Sequence, residues 1–81
     1  MSFDIMKLAG KSVSVFLNHI IFGAQELFIS CFEPFVTDER FGFAFNGYKF
    51  YMENKEVEHI EIGKNLIKIF GNLQTMEIKV Q

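Results

Sequence analysis

The residues able to do chemistry are few. His19 and His59 are the only histidines and Cys31 the only cysteine in 81 residues. Two imidazoles and one thiol reproduce no zinc-ligand spacing. The densest charge run is acidic: Glu53, Glu56, Glu58 and Glu61, broken by Lys55. Paired carboxylates perform acid/base work only when a cleft holds them together. Here Glu58 shares a strand face with Ile60 and Ile62, and Glu61 shares the other with His59. The run therefore reads as a solvated rim that could meet a basic partner. Ser12, Ser14 and Ser30 fall within strand patterns, with no His or Asp at telling positions. The six glycines are isolated at turns and bends, so no phosphate-cradling loop is present. The sequence predicts no catalytic residue, no metal ligand and no cofactor.

The elements that must position these residues belong to one domain, residues 1–81, with a net charge of −2. Lysine and arginine form no cluster, which argues against nucleic acid as a partner. Lys49, between Tyr48 and Tyr51, is the one cation set among aromatics. A lone cysteine permits no intrachain disulfide, and the apolar run Leu27–Phe32 predicts that Cys31 is a buried, inert thiol. No secretory leader pattern and no stretch near ~20 apolar residues occurs, so a cytoplasmic protein with no membrane contact is expected.

Phenylalanine usage carries the fold. Eleven Phe and two Tyr occur with no Trp, and they concentrate around Asn46-Gly47, the strongest short-range signal for a two-residue hairpin. That loop sets Phe45 opposite Tyr48, Phe43 opposite Phe50 and Phe41 opposite Met52, all on one side of the ribbon. Such a face must be covered, so these aromatics read as core. On the other side Tyr51 lies over Gly42, a cross-strand arrangement that covers a glycine.

The remaining chain divides into a short helix over 1–10, first strands over 11–32, a loop over 33–40, the hairpin over 41–53 and a C-terminal meander over 57–80. Ser2 is the expected helix cap and Gly10 its left-handed stop. Val13, Val15 and Leu17 alternate toward one face. Asn18-His19 reads as a turn, with Ile20–Phe22 resuming strand character before a bend at Gly23. Apolar groups on both faces of 25–32 predict a central strand, or a bent strand serving two sheets. Met76, Ile78 and Val80 alternate in the last strand. The fold class is mostly β: a small antiparallel barrel or sandwich of six to seven strands with a short N-terminal helix.

The segment Leu8-Ala9-Gly10-Lys11-Ser12-Val13-Ser14-Val15-Phe16-Leu17-Asn18, followed by Gly23 and Leu27, resembles the first half of the Sm-like motif within the SH3-like barrels. Phe32-Glu33 falls roughly where that family has an aromatic followed by Asp. The resemblance covers about 25 residues and implies barrel topology. The second half departs from it: Ile62-Gly63-Lys64-Asn65 stands in a different order from the family's Ile-Arg-Gly signature, and the loop asparagine with which the family holds a base has no counterpart after Glu33-Pro34. The family's RNA-binding residues are therefore not carried over.

The expected function is a small, non-enzymatic protein-binding module, of the kind that serves as a phage-type or accessory regulator or inhibitor. The expected partner is another protein, with a homodimer or higher homo-oligomer as one form of it. An Sm-like or SH3-like nucleic-acid-binding barrel, active as an oligomer, is the alternative. Candidate contact residues are Phe35, Val36, Asp38 and Arg40 in the 33–40 loop, Tyr51 on the hairpin, and Glu56 and Glu58 in the acidic run. Loops usually lie at the surface, and an apolar anchor rimmed by charge suits a protein contact.

Overall fold

The computed structural model describes residues 4–81. Their eight strands are β1 (Val13–His19), β2 (Gly23–Ile29), β3 (Glu33–Val36), β4 (Arg40–Phe45), β5 (Tyr48–Glu53), β6 (Val57–Gly63), β7 (Leu66–Gly71) and β8 (Gln74–Val80). They form two antiparallel sheets, ordered β2-β1-β8-β7-β6 and β3-β4-β5. The sheets do not close into a barrel.

The hairpin forms in the expected register. Asn46 and Gly47 both adopt positive φ (52° and 81°), as a type I′ turn requires. Phe45 pairs with Tyr48, Phe43 with Phe50, Phe41 with Met52 and Gly42 with Tyr51. Phe41, Phe43 and Met52 are fully buried. Tyr48, at the turn, is 70% exposed and lies beyond the cover. The cover is the larger sheet, whose inner face carries Val13, Val15, Ile69, Met76 and Ile78 at 0–1% exposure. Phe32 joins the two, packing on Phe43 with ring centroids 5.3 Å apart.

Several expectations are corrected. The N-terminal element is a single 3-10 turn, Ile5–Leu8, and no α-helix occurs among the described residues. Its cap is Asp4, whose Oδ1 accepts from the Met6 N–H at 3.0 Å; Ser2 lies outside the described residues. Ile5 and Leu8 are buried while Ala9 is exposed, and Gly10 takes φ +79°, so the stop falls where expected. The strands number eight because the 33–40 segment contains β3, followed by a tight turn. There Thr37 Oγ1 accepts from the Arg40 N–H at 3.1 Å.

Asn18 and His19 end β1, and Ile20–Phe22 is the hairpin loop itself. Gly23, with φ +86°, provides the left-handed residue that a three-residue loop needs. β2 is an edge strand, not a central one; the chain then bends at Ser30-Cys31 and enters the second sheet as β3. That bend breaks the alternation, so Phe32 turns inward (1% exposed) while Cys31 is exposed. The Phe32 backbone is fixed there: its N–H donates to the Lys11 carbonyl at 2.9 Å, and its carbonyl accepts from the Gly10 N–H at 2.8 Å.

Gly42 is the tightest point of the small sheet. A Cβ placed there would lie 1.9 Å from the Phe50 carbonyl oxygen and 2.7 Å from Tyr51 Cα. Backbone, not a flexible side chain, occupies that space. Gly42→Ala is expected to cost about 3 kcal/mol, the upper end for overpacking, read as a lowered urea midpoint with unchanged slope. Ala44→Gly, two residues along the same strand face, serves as the control for glycine content.

Candidate functional site

The inter-sheet core ends at one side of the molecule, and residue type explains where. Successive inner-face rows of the larger sheet are Leu27–Val15–Ile78–Ile67, then Gln25–Leu17–Met76–Ile69, then Gly23–His19–Gln74. Apolar side chains give way to polar ones toward the β1–β2 loop. The two sheets part there and leave a cleft of about 630 Å³ between β1, β2 and β8 on one side and Lys49, Phe50 and Tyr51 of β5 on the other. Phe22 is among its lining residues. The volume lies within the range of ordinary ligand clefts.

Above the cleft stands the β1–β2 loop. Ile20, Ile21 and Phe22 are 73%, 75% and 84% exposed. Three consecutive exposed apolar side chains are not the scattered single exposures of an ordinary surface. The loop's N–H groups are nonetheless all satisfied. The Ile20 N–H donates to the Leu73 carbonyl at 2.9 Å. The Ile21 and Phe22 N–H groups donate to His19 Nδ1 at 3.1 and 3.3 Å. The His19 ring also packs on Phe22, with centroids 4.6 Å apart. His19 does here what Asn or Asp does in an Asx turn, accepting from the backbone just beyond itself. An ordered scaffold thus presents the apolar tip.

Lys49 and Tyr51 carry the surface onward to the outer face of the small sheet. Register places Phe35, Gly42 and Tyr51 in one row there, with Arg40 and Glu53 in the next. The Arg40 guanidinium lies 4.6 Å from the Tyr51 ring centre and the Lys49 ammonium 5.6 Å from the Phe35 ring centre, both within cation–π range. Arg40 also reaches Glu53 at 3.7 Å. The Gln74 amide donates to the Tyr51 carbonyl at 3.2 Å and ties β5 to β8 across the cleft floor.

The structure brings three of the sequence candidates together: Phe35, Arg40 and Tyr51 share this face. Val36 (48% exposed) and Asp38 stand at the β3–β4 turn beside it. Glu56 and Glu58 are elsewhere. Glu56 Oε1 accepts from the Glu53 N–H at 2.9 Å in a capping box, so that carboxylate is turned inward. Glu58 lies on β6, the opposite edge of the larger sheet from β2. His59 contacts Glu61 at 3.3 Å and stacks on Phe70. No group of three or more His, Cys, Asp or Glu among the described residues is placed to hold a metal ion. Among the described residues no helix is long and apolar enough to cross a membrane.

Sequence reasoning missed the tip and the cleft. The available signal was His19, a residue with a free acceptor nitrogen placed before a short run closed by glycine. Comparison with protein-family models, curated proteins and solved structures finds no match.

His19→Ala removes the acceptor of two amides and is expected to destabilise the protein by about 1–3 kcal/mol, since two neutral hydrogen bonds contribute about 0.5–1.5 kcal/mol each. Amide exchange at Ile21 and Phe22 should accelerate. His19→Asn, which restores an acceptor, should recover most of both effects.

Proposed function

We propose that this chain is a non-enzymatic protein-binding module whose contact surface runs from the Ile20–Phe22 tip, through the cleft beneath it, to Tyr51, Phe35 and Arg40. The observation that carries this reading is the tip itself. Every amide of the loop is hydrogen-bonded, so the fold holds in place three apolar side chains that it leaves in water. Leaving those side chains in water gains the domain none of the free energy that their burial would give.

Magnitudes indicate how much surface a partner must cover. Burying Ile20, Ile21 and Phe22 contributes roughly 4.5–9 kcal/mol at about 1.5–3 each. Association costs about 4–15 kcal/mol in lost translational and rotational freedom. The tip alone leaves little surplus, so the cleft and its aromatic wall belong to the same interface. Aromatic and arginine side chains such as Tyr51 and Arg40 are the types enriched where interfaces bind most strongly.

A second reading is nucleic-acid binding, as in the Sm-like proteins that the first strands resemble. It is favoured by the two cation–aromatic pairs on the small sheet, because stacked aromatics flanked by cations hold single-stranded bases. Glu33 and Glu53 share that face, and Arg40 is already engaged by Glu53, which weakens it. A salt-dependent shift with oligo(U) or single-stranded DNA, abolished in Tyr51→Ala, would favour this second reading.

The protein-binding reading is tested with the double variant Ile21→Asp, Phe22→Asp. Its stability should match wild type within about 0.5 kcal/mol, as for exposed sites generally. Proteins retained by the wild-type chain from an extract of its own cells should be lost. Retention of the same proteins by the variant, or of none by either chain, counts against the proposal.

A further inference from the structure

The free edges of the two sheets are β2, β6, β3 and β5. Such edges template pairing with other chains unless they are blocked. β3 is four residues long and contains Pro34. β6 carries Glu58 and Glu61 and a register break between Val57 and His59. β5 carries Lys49 and is tied down by the Gln74–Tyr51 hydrogen bond. β2 has the fewest of these devices, a single charge. Its seven residues pair with β1 without a register break, contain no proline or lysine, and include one charge, Glu26. This least-blocked edge also borders the cleft, through Gly23, Ala24 and Gln25, opposite β5.

We infer that β2 accepts an extended segment of a partner protein as an added strand, with an apolar side chain seated in the cleft under Phe22 and a carboxylate beside Lys49. The inference rests on the protein-binding reading above and gives that partner its chemistry. Strand addition draws affinity from main-chain hydrogen bonds and specificity from pockets for alternate side chains. Here one pocket adjoins the edge. Local charge decides the sign: Lys49 is the one formally charged group among the described residues lining the cleft. A basic segment would meet that lysine unpaired, whereas an acidic one complements it. Pairing with a second copy centred on Glu26 is disfavoured in turn, because it would set two carboxylates opposite each other.

The test uses the full chain and a display library of random decapeptides, selected on wild type and counter-selected on Phe22→Asp. The enriched peptides should combine an apolar or aromatic residue with Asp or Glu. Made synthetically, they should bind at least tenfold more weakly when their backbone is N-methylated at alternate positions. Lys49→Glu should shift the preference at least tenfold toward Lys-substituted versions, and amide exchange should slow along Ala24–Phe28. An enriched pool that is basic, that ignores N-methylation, or that perturbs only β6 overturns the inference, as does failure to enrich any pool. A stable dimer protecting the β2 amides assigns the edge to a second copy and also overturns it. Loss of partner capture in the tip variant, combined with any of these outcomes, leaves the broader protein-binding reading standing. Unchanged capture removes both.

Discussion

The structure depends on the need to cover one aromatic face. The Asn46-Gly47 turn fixes a register in which Phe41, Phe43, Phe50 and Met52 all point the same way, and no two-stranded ribbon survives in water with such a face bare. The larger sheet supplies the cover through β-branched, leucine and methionine side chains on β1, β7 and β8. Once those faces meet, the other positions of the hairpin have no choice of side. Gly42, Lys49 and Tyr51 must face out, and β3, paired to β4, must add Phe35 to the same outer row. The proposed contact surface is thus the geometric complement of the core. Gly42 shows how tightly the two are linked, since the close approach of the Phe50 carbonyl leaves no room for a methyl group there.

The larger sheet outruns its partner. A five-stranded sheet packed on a three-stranded one must leave part of its inner face uncovered, and the inner rows change character where this happens. Gln25, His19 and Gln74 stand where further apolar residues would otherwise need burial. Their polarity lets the sheets part without exposing a broad greasy surface. His19 and Gln74 also hold neighbouring segments in place. His19 satisfies two amides of the tip, and Gln74 tethers β5 through the Tyr51 carbonyl. The same side chains that end the core build the cleft.

The legibility of this arrangement in the sequence follows from which signals are local. The hairpin was legible to the residue, because an Asn-Gly loop and strict alternation admit one register. The inward sets Val13, Val15, Leu17 and Met76, Ile78 were legible for the same reason. Ile20–Phe22 was not. An isoleucine-rich run has the same composition whether it is a buried strand or a loop tip left in water, and only the pairing of His19 with Gly23 decides between them. Cys31 and Phe32 failed differently: the chain bends between two sheets at Ser30-Cys31, and alternation carries no phase across a bend. The gathering of Phe35, Arg40 and Tyr51 was half legible. Their types suggested a contact surface, but their meeting depends on β3 pairing with β4 across a turn that read as loop.

In the proposed interface the tip and the β2 edge divide the work of recognition on physical grounds. The tip cannot add a strand, because its amides are already committed to His19 and Leu73; it can offer only apolar area, which is strong but undirected. The edge offers main-chain groups, which are directional but gain little net free energy in water. Each alone makes a poor interface, the first sticky without register and the second specific without affinity. Set side by side at the mouth of one cleft, they supply both, and the loop that joins β1 to β2 is what holds them together.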